Sequence, residues 1–116
     1  MTNPKRGEIE IVLGKQKYQG KVTLDVVMRI EQTTGQGIVK LATSLSEGVL
    51  TTTQVVSVLT AVIRAGGNDV NEKQVGKDVW EAGLADGLKV MGQIIAQVLT
   101  AGGDIEGNEV EAEQLL

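Results

Sequence analysis

The chain has 116 residues and a net charge of −4; it lacks histidine, cysteine and phenylalanine, and Tyr18 and Trp80 are its only tyrosine and tryptophan. Without a side chain that titrates near neutral pH, and without a thiol, acid–base and thiol catalysis lose their usual carriers, and zinc, haem and iron–sulfur sites lose their usual ligands. The composition therefore predicts one domain with an aliphatic core that binds rather than transforms: no enzyme, no cofactor and no metal.

Residues 1–6 form a short polar arm with no apolar run behind it, so no secretory signal is expected. From Gly7 the pattern alternates, with Ile9, Ile11 and Leu13 on one face and Glu8 and Glu10 on the other. That is the period of a half-buried strand. Gly14-Lys15 reads as a turn, and Tyr18, Gly20 and Val22 continue the apolar face on the way back. A two-residue loop would set Glu8 opposite Lys21; a four-residue loop would set Glu10 there. Either register joins the same faces, because the slip is even. A lone hairpin is marginal, so its apolar face must pack on helices.

Thr23 then reads as the N-cap of a first helix, with Asp25 favoured in its first turn and Gly35 as its stop. Leu24, Val27, Met28 and Ile30 give that helix its expected apolar side. A second helix follows Gly37, with Ile38, Leu41, Ala42 and Leu45 at helical spacing before Gly48. Thr52 to Ala65 forms the third, ended by Gly66-Gly67. Its Val55, Val58, Val62 and Ile63 are β-branched, which locally favours strand; the period, the Thr cap and the Gly stop favour helix. Asn71 can cap a fourth helix, from Glu72 to about Ala82, whose expected buried side is Val75, Val79 and Trp80. After Gly83, Leu84, Leu88, Met91, Ile95 and Val98 step by four, three, four and three along a fifth helix ending at Gly102-Gly103. This is the seam of a packed helix. The third and fifth helices echo each other (Gln54-Val55-Val56 and Gln93-Ile94-Ile95), which independent amphipathic helices with similar caps explain better than duplication. The reading is α+β: an N-terminal β-hairpin over residues 7–22 packed on about five helices over 24–102, one globular domain over 1–103.

Charge is unevenly placed. Five acids (Asp104, Glu106, Glu109, Glu111 and Glu113) follow Gly103 with no base among them, whereas the rest of the chain carries eleven basic against ten acidic residues. Residues 104–116 are expected to be an acidic flexible tail. A near-neutral body is a poor match for nucleic acid, although Lys5, Arg6, Lys15, Lys17 and Lys21 crowd the N-terminal region. The longest weakly charged stretch, Leu41 to Ile63, contains Glu47 and many hydroxyl and amide side chains, so no membrane span is expected.

Motifs for chemistry are weak. Glu8 and Glu10 share a wet strand face with nothing to raise a carboxyl pKa. Asn68-Asp69-Val70-Asn71-Glu72 and the acidic run from Asp104 to Glu109 lack the ligand rhythm of a calcium loop and read as turns and caps. Gly35-Gln36-Gly37 follows no strand and has no Walker lysine. Gly83 and Gly87 read as a packing or hinge detail. Ser44, Ser46 and Ser57 have no histidine to activate them. What remains is surface: Trp80, Leu84, Leu88, Met91 and Ile95 are the candidate partner-binding residues, with burial in the chain's own core as the plain alternative.

Asn3, Pro4, Arg6, Gly7 and Glu8, the alternating strand with its Gly14 turn, and then Leu24, Ile30-Glu31, Gly35, Ile38 and Leu41 resemble the gene-transfer-agent tail proteins grouped with phage tail assembly chaperones. The likeness continues through Leu50-Thr51, Val55, Leu59 and Ile63-Arg64-Ala65-Gly66-Gly67 and covers about residues 3–100. The resemblance implies a gene in a phage, prophage or gene-transfer-agent tail cluster and a chaperone in the host cytoplasm. Such a chaperone binds the tape measure protein, contacts the major tail tube protein, and could form a homo-oligomer. The same family also carries a tail tube label, which implies a structural component of the virion tail. A small nucleic-acid-binding regulator is a further alternative. The resemblance implies no catalytic residues and transfers no binding residue.

Overall fold

The computed structural model describes residues 7–101. Two strands, β1 (Glu8–Leu13) and β2 (Gln16–Lys21), precede five helices: α1 (Leu24–Thr34), α2 (Ile38–Glu47), α3 (Thr52–Ala65), α4 (Glu72–Ala82) and α5 (Leu84–Ala101). This is the expected α+β architecture. The acidic run after Gly103 lies outside the described residues.

The strands pair antiparallel in the register of the two-residue loop, with Glu8 opposite Lys21 and Leu13 opposite Gln16. Gly14 has φ +61 and no residue other than glycine has positive φ among those described. A positive φ at the first central position only is the sign pattern of a type II′ turn, whose twist matches the strands it joins. Ile11, Leu13, Gly20 and Val22 face inward and are buried, while Glu10, Val12, Lys17 and Gln19 face water. The inward face packs on α3 through β2 and on α5 through β1.

α3 sits at the centre, touching α1, β2, α4 and α5. It is a helix despite its β-branched content. A reciprocal capping box starts it: Gln54 N–H donates to Thr51 Oγ1 at 3.1 Å, and Thr51 N–H donates to Gln54 Oε1 at 2.9 Å. Burial does the rest, since Val55, Val58, Leu59, Val62 and Ile63 are all 0% exposed. Hydrophobic burial of five large side chains outweighs the few tenths of a kcal/mol per residue that helix propensity withholds, at roughly 1.5–3 kcal/mol each.

Two expected faces are corrected. On α1 the buried residues are Val26 and Ile30, with Val27 partly covered, while Leu24 is 73% and Met28 50% exposed. α1 carries apolar side chains over a wider arc than its neighbours can cover, and packing on α3 selects the arc centred on Val26 and Ile30. On α4 the inward positions are Val75, Asp78 and Val79, and Trp80 is 84% exposed. Trp80 lies one residue, about 100° of helix, beyond Val79, which carries it off the packed face.

On α5 the seam turns toward Val90 and Ile94, which are buried beside Met91 and Ile95; Leu88 and Val98 are partly covered, and Leu84, in the first turn, is 43% exposed. A 3.6-residue helix drifts from a strict heptad, so the line of contact rotates along eighteen residues. A Cβ at Gly87 would lie 3.1 Å from Val79 Cγ1 and 3.3 Å from Val55 Cγ1, so this glycine serves close helix packing. Among the described residues, no helix is long and apolar enough to cross a membrane.

Candidate functional site

The five candidate contact residues separate into two groups. Met91 (0% exposed) and Ile95 (5%) are packed in the core, and Leu88 is packed against it. A partner could reach them only if α5 moved. Trp80 and Leu84 are exposed and flank Gly83, the joint between α4 and α5. Other large apolar side chains left uncovered are Val12 on β1, Leu24 and Met28 on α1, Val39 on α2, Val49 in the connection to α3, and Leu99 near the end of α5. Leu24 and Met28 stand one turn apart on one helix face. Periodicity alone placed both in the core; their exposure follows from the arc α3 selects.

The one buried carboxylate among the described residues is Asp78, 3% exposed. The Tyr18 hydroxyl donates to its Oδ2 at 2.5 Å, and Gln74 Nε2 donates to its Oδ1 at 3.1 Å. The pair ties β2 to α4 across sixty residues of sequence. The hydrogen bond to the carboxylate, then burial, then the negative charge push the Tyr18 phenol up to about 12. It therefore stays a proton donor throughout the neutral range and is no base. The cluster was readable as Val75, Asp78, Val79 and Ala82 at helical spacing opposite a lone tyrosine, but an acid in that pattern gives no partner away.

Tyr18→Phe is expected to lower stability by about 1–2 kcal/mol at neutral pH, because it removes a charge-assisted donor from a buried acceptor. The folded phenol holds its proton to about 12 while the unfolded one releases it at 10.0. This contribution is thus complete below about pH 10 and is lost as pH rises toward about 12. Urea unfolding of both proteins across that window measures it; an unchanged gap between them at high pH would contradict the linkage.

Between α1, α3, the end of β2 and the start of α4 runs a groove of about 660 Å³. Lys21, Arg29 and Arg64 line it together with Asp25 and Glu72, and Ser57 and Thr60 are the buried hydroxyl side chains at its base. Ser57 Oγ donates to Glu72 Oε2 at 3.2 Å, and Thr60 Oγ1 to the Val56 carbonyl at 2.7 Å, so both hydroxyls are committed.

The other motifs resolve as structure. Glu31 Oε2 accepts from Ile38 N–H at 3.0 Å, so this chain's own carboxylate occupies the start of α2 beside Gly35-Gln36-Gly37. Asn71 Oδ1 accepts from Gln74 N–H at 2.9 Å, and Asn68 Nδ2 donates to the Gln19 and Ile63 carbonyls at 2.8 and 3.0 Å. These are the cap and turn that the run Asn68–Glu72 suggested. Among the described residues no three acidic side chains gather as metal ligands would.

No curated protein and no solved structure matches the chain. A family model described as "Phage tail tube protein, GTA-gp10" matches residues 6–101, the hairpin and all five helices. The chain therefore belongs to this phage tail family of the gene-transfer-agent type.

Proposed function

We propose that the chain is a structural subunit of the tail tube of a phage, prophage or gene transfer agent, acting by contact and not by catalysis. The observation that carries this reading is the family match under a tail tube description, which spans the whole described fold. The exposed side chains support it. Subunits that repeat along a tube meet through heterologous contacts, which need two different complementary patches on each copy. Leu24 and Met28 on α1, and Trp80 and Leu84 at the α4–α5 joint, are uncovered apolar groups on separate elements. Trp is the commonest interface anchor, and Met adapts to its partner.

One observation favours a second reading, the tail assembly chaperone. Leu24, Met28, Val39 and Trp80 are all exposed on helices, which suits gripping an apolar helix of a tape measure protein. Quantitative mass spectrometry of purified particles, with a pull-down of the tape measure protein, separates the two. The tube reading expects the chain in particles at the copy number of a repeating tail subunit. Its absence from particles, together with capture of the tape measure protein, would replace the tube with the chaperone.

A further inference from the structure

We propose that the outer edge of β1 is a docking strand: it accepts, as a third strand of the sheet, an extended segment of a partner protein in which basic and apolar residues alternate. The proposal does not rest on the tail tube reading.

The backbone of β1 has one unfilled side. In a hairpin closed by a two-residue turn, the pair flanking the turn exchanges hydrogen bonds, and every second pair does the same. Here those pairs are Leu13–Gln16, Ile11–Tyr18 and Ile9–Gly20, and Val22 N–H donates to the Gly7 carbonyl at 2.6 Å in the same alternation. The N–H and C=O groups of Glu8, Glu10 and Val12 therefore point away from β2. Gln97 Nε2 reaches the Glu8 carbonyl from that side at 3.2 Å. Among the described residues nothing bonds the outward groups of Glu10 and Val12. Both side chains are exposed, so these groups are left to water.

The other edge is closed. The outward Gln19 carbonyl of β2 accepts from Asn68 Nδ2 at 2.8 Å and lies against Gly66, so the end of α3 covers it. β1 carries no guard beyond its charges: six residues pair in continuous register, with no proline and no bulge.

Shape and charge choose the occupant. β1 packs on α5 and β2 on α3, and α3 touches α5. Strands lie about 4.8 Å apart whereas packed helices lie about 8–10 Å apart, so α5 extends past the open side of β1. A bare strand would rest on that floor, while a second copy's hairpin would bring its own α5 into the same space. An open hollow of about 490 Å³, lined by Glu8, Ile9, Glu10, Gln19 and Gln97, leaves room at the Glu8 end. Glu8 and Glu10 stand on the solvent face of β1, and Glu10 has Gln19, not a base, across the pair. Lys17 and Lys21 belong to β2, two strands and about 10 Å from the newcomer, which is about one Debye length at 0.1 M salt. The acids therefore disfavour a second β1 and favour Lys or Arg directly opposite.

Full-length ¹⁵N-labelled protein is titrated with an acetylated, amidated peptide of sequence KVKVKV, and with EVEVEV as its charge-reversed match. Exchange of the Glu10 and Val12 amides is expected to slow by about tenfold or more with KVKVKV, whereas Ile9 and Ile11, already bonded to β2, keep their rates. EVEVEV should protect neither, and protection by KVKVKV should weaken near 1 M NaCl, where the Debye length falls to ~3 Å. Val12→Pro removes one outward N–H and no bond to β2, and should abolish binding while the Leu13 amide stays protected. Glu10→Lys leaves the backbone intact and should turn the preference toward EVEVEV. No protection of Glu10 and Val12 by KVKVKV, or equal protection by both peptides, overturns the proposal. Protection that grows with protein concentration and needs no peptide would assign the edge to a second copy, and overturns it as well.

Discussion

Gly66→Ala should destabilise the protein by about 3 kcal/mol or more, above the usual cost of one added methyl group in a core. A Cβ at this position would lie 1.9 Å from the Gln19 carbonyl oxygen, 2.7 Å from its carbon and 2.9 Å from Gly20 Cα. All three atoms are backbone, so no rotamer change relieves the clash. The only escape is to move β2 off the end of α3. Asn68 holds that junction closed by donating to both the Gln19 and Ile63 carbonyls. Gly76→Ala is the matched control: a Cβ there meets only Val56 methyls at 3.8 and 3.9 Å, an ordinary contact. Removing glycine from the interior of α4 should therefore stabilise by about 0.5–1 kcal/mol. Denaturant midpoints followed by far-ultraviolet circular dichroism report both. Equal and small effects from the two alanines would show that the hairpin is not pressed on α3 as described.

Leu59→Ala should cost about 2–5 kcal/mol. Leu59 is 0% exposed on the helix that touches α1, α4, α5 and β2. Its cavity would open in the buried face of the helix that the other elements pack around, which leaves little room for collapse. The upper part of the range is expected for that reason. A loss below about 1 kcal/mol would mean that the core around α3 relaxes freely, against the close packing of protein interiors.

The elements themselves were readable because this chain punctuates them strongly. Thr23, Thr51 and Asn71 each accept from the N–H three residues on, and Gly35 and Gly48 end their helices in the left-handed conformation. The hairpin faces were readable because both loop lengths gave the same inward set. The choice between them waited on the turn, where Gly14 takes the positive φ a two-residue loop needs. Which arc of a helix is buried was less legible. Leu24, Val26, Val27, Met28 and Ile30 surround much of α1, and only the position of α3 decides among them. Trp80 was misplaced because size and hydrophobicity argue for burial, whereas Asp78 takes an inward place through donors from β2 and its own helix. The groove was not legible at all. Arg64 is far in sequence from Lys21 and Arg29, and nothing in the local pattern marks the three as neighbours.

The exposed Trp80 has an optical consequence. It is the sole tryptophan, with 84% of its surface in water, so its emission in the folded protein should already resemble that of the unfolded chain. Intrinsic fluorescence will be nearly blind to whether this protein is folded. The same indole will shift to the blue when another surface covers it. The chain thus carries a built-in reporter that is silent on folding and speaks only on assembly.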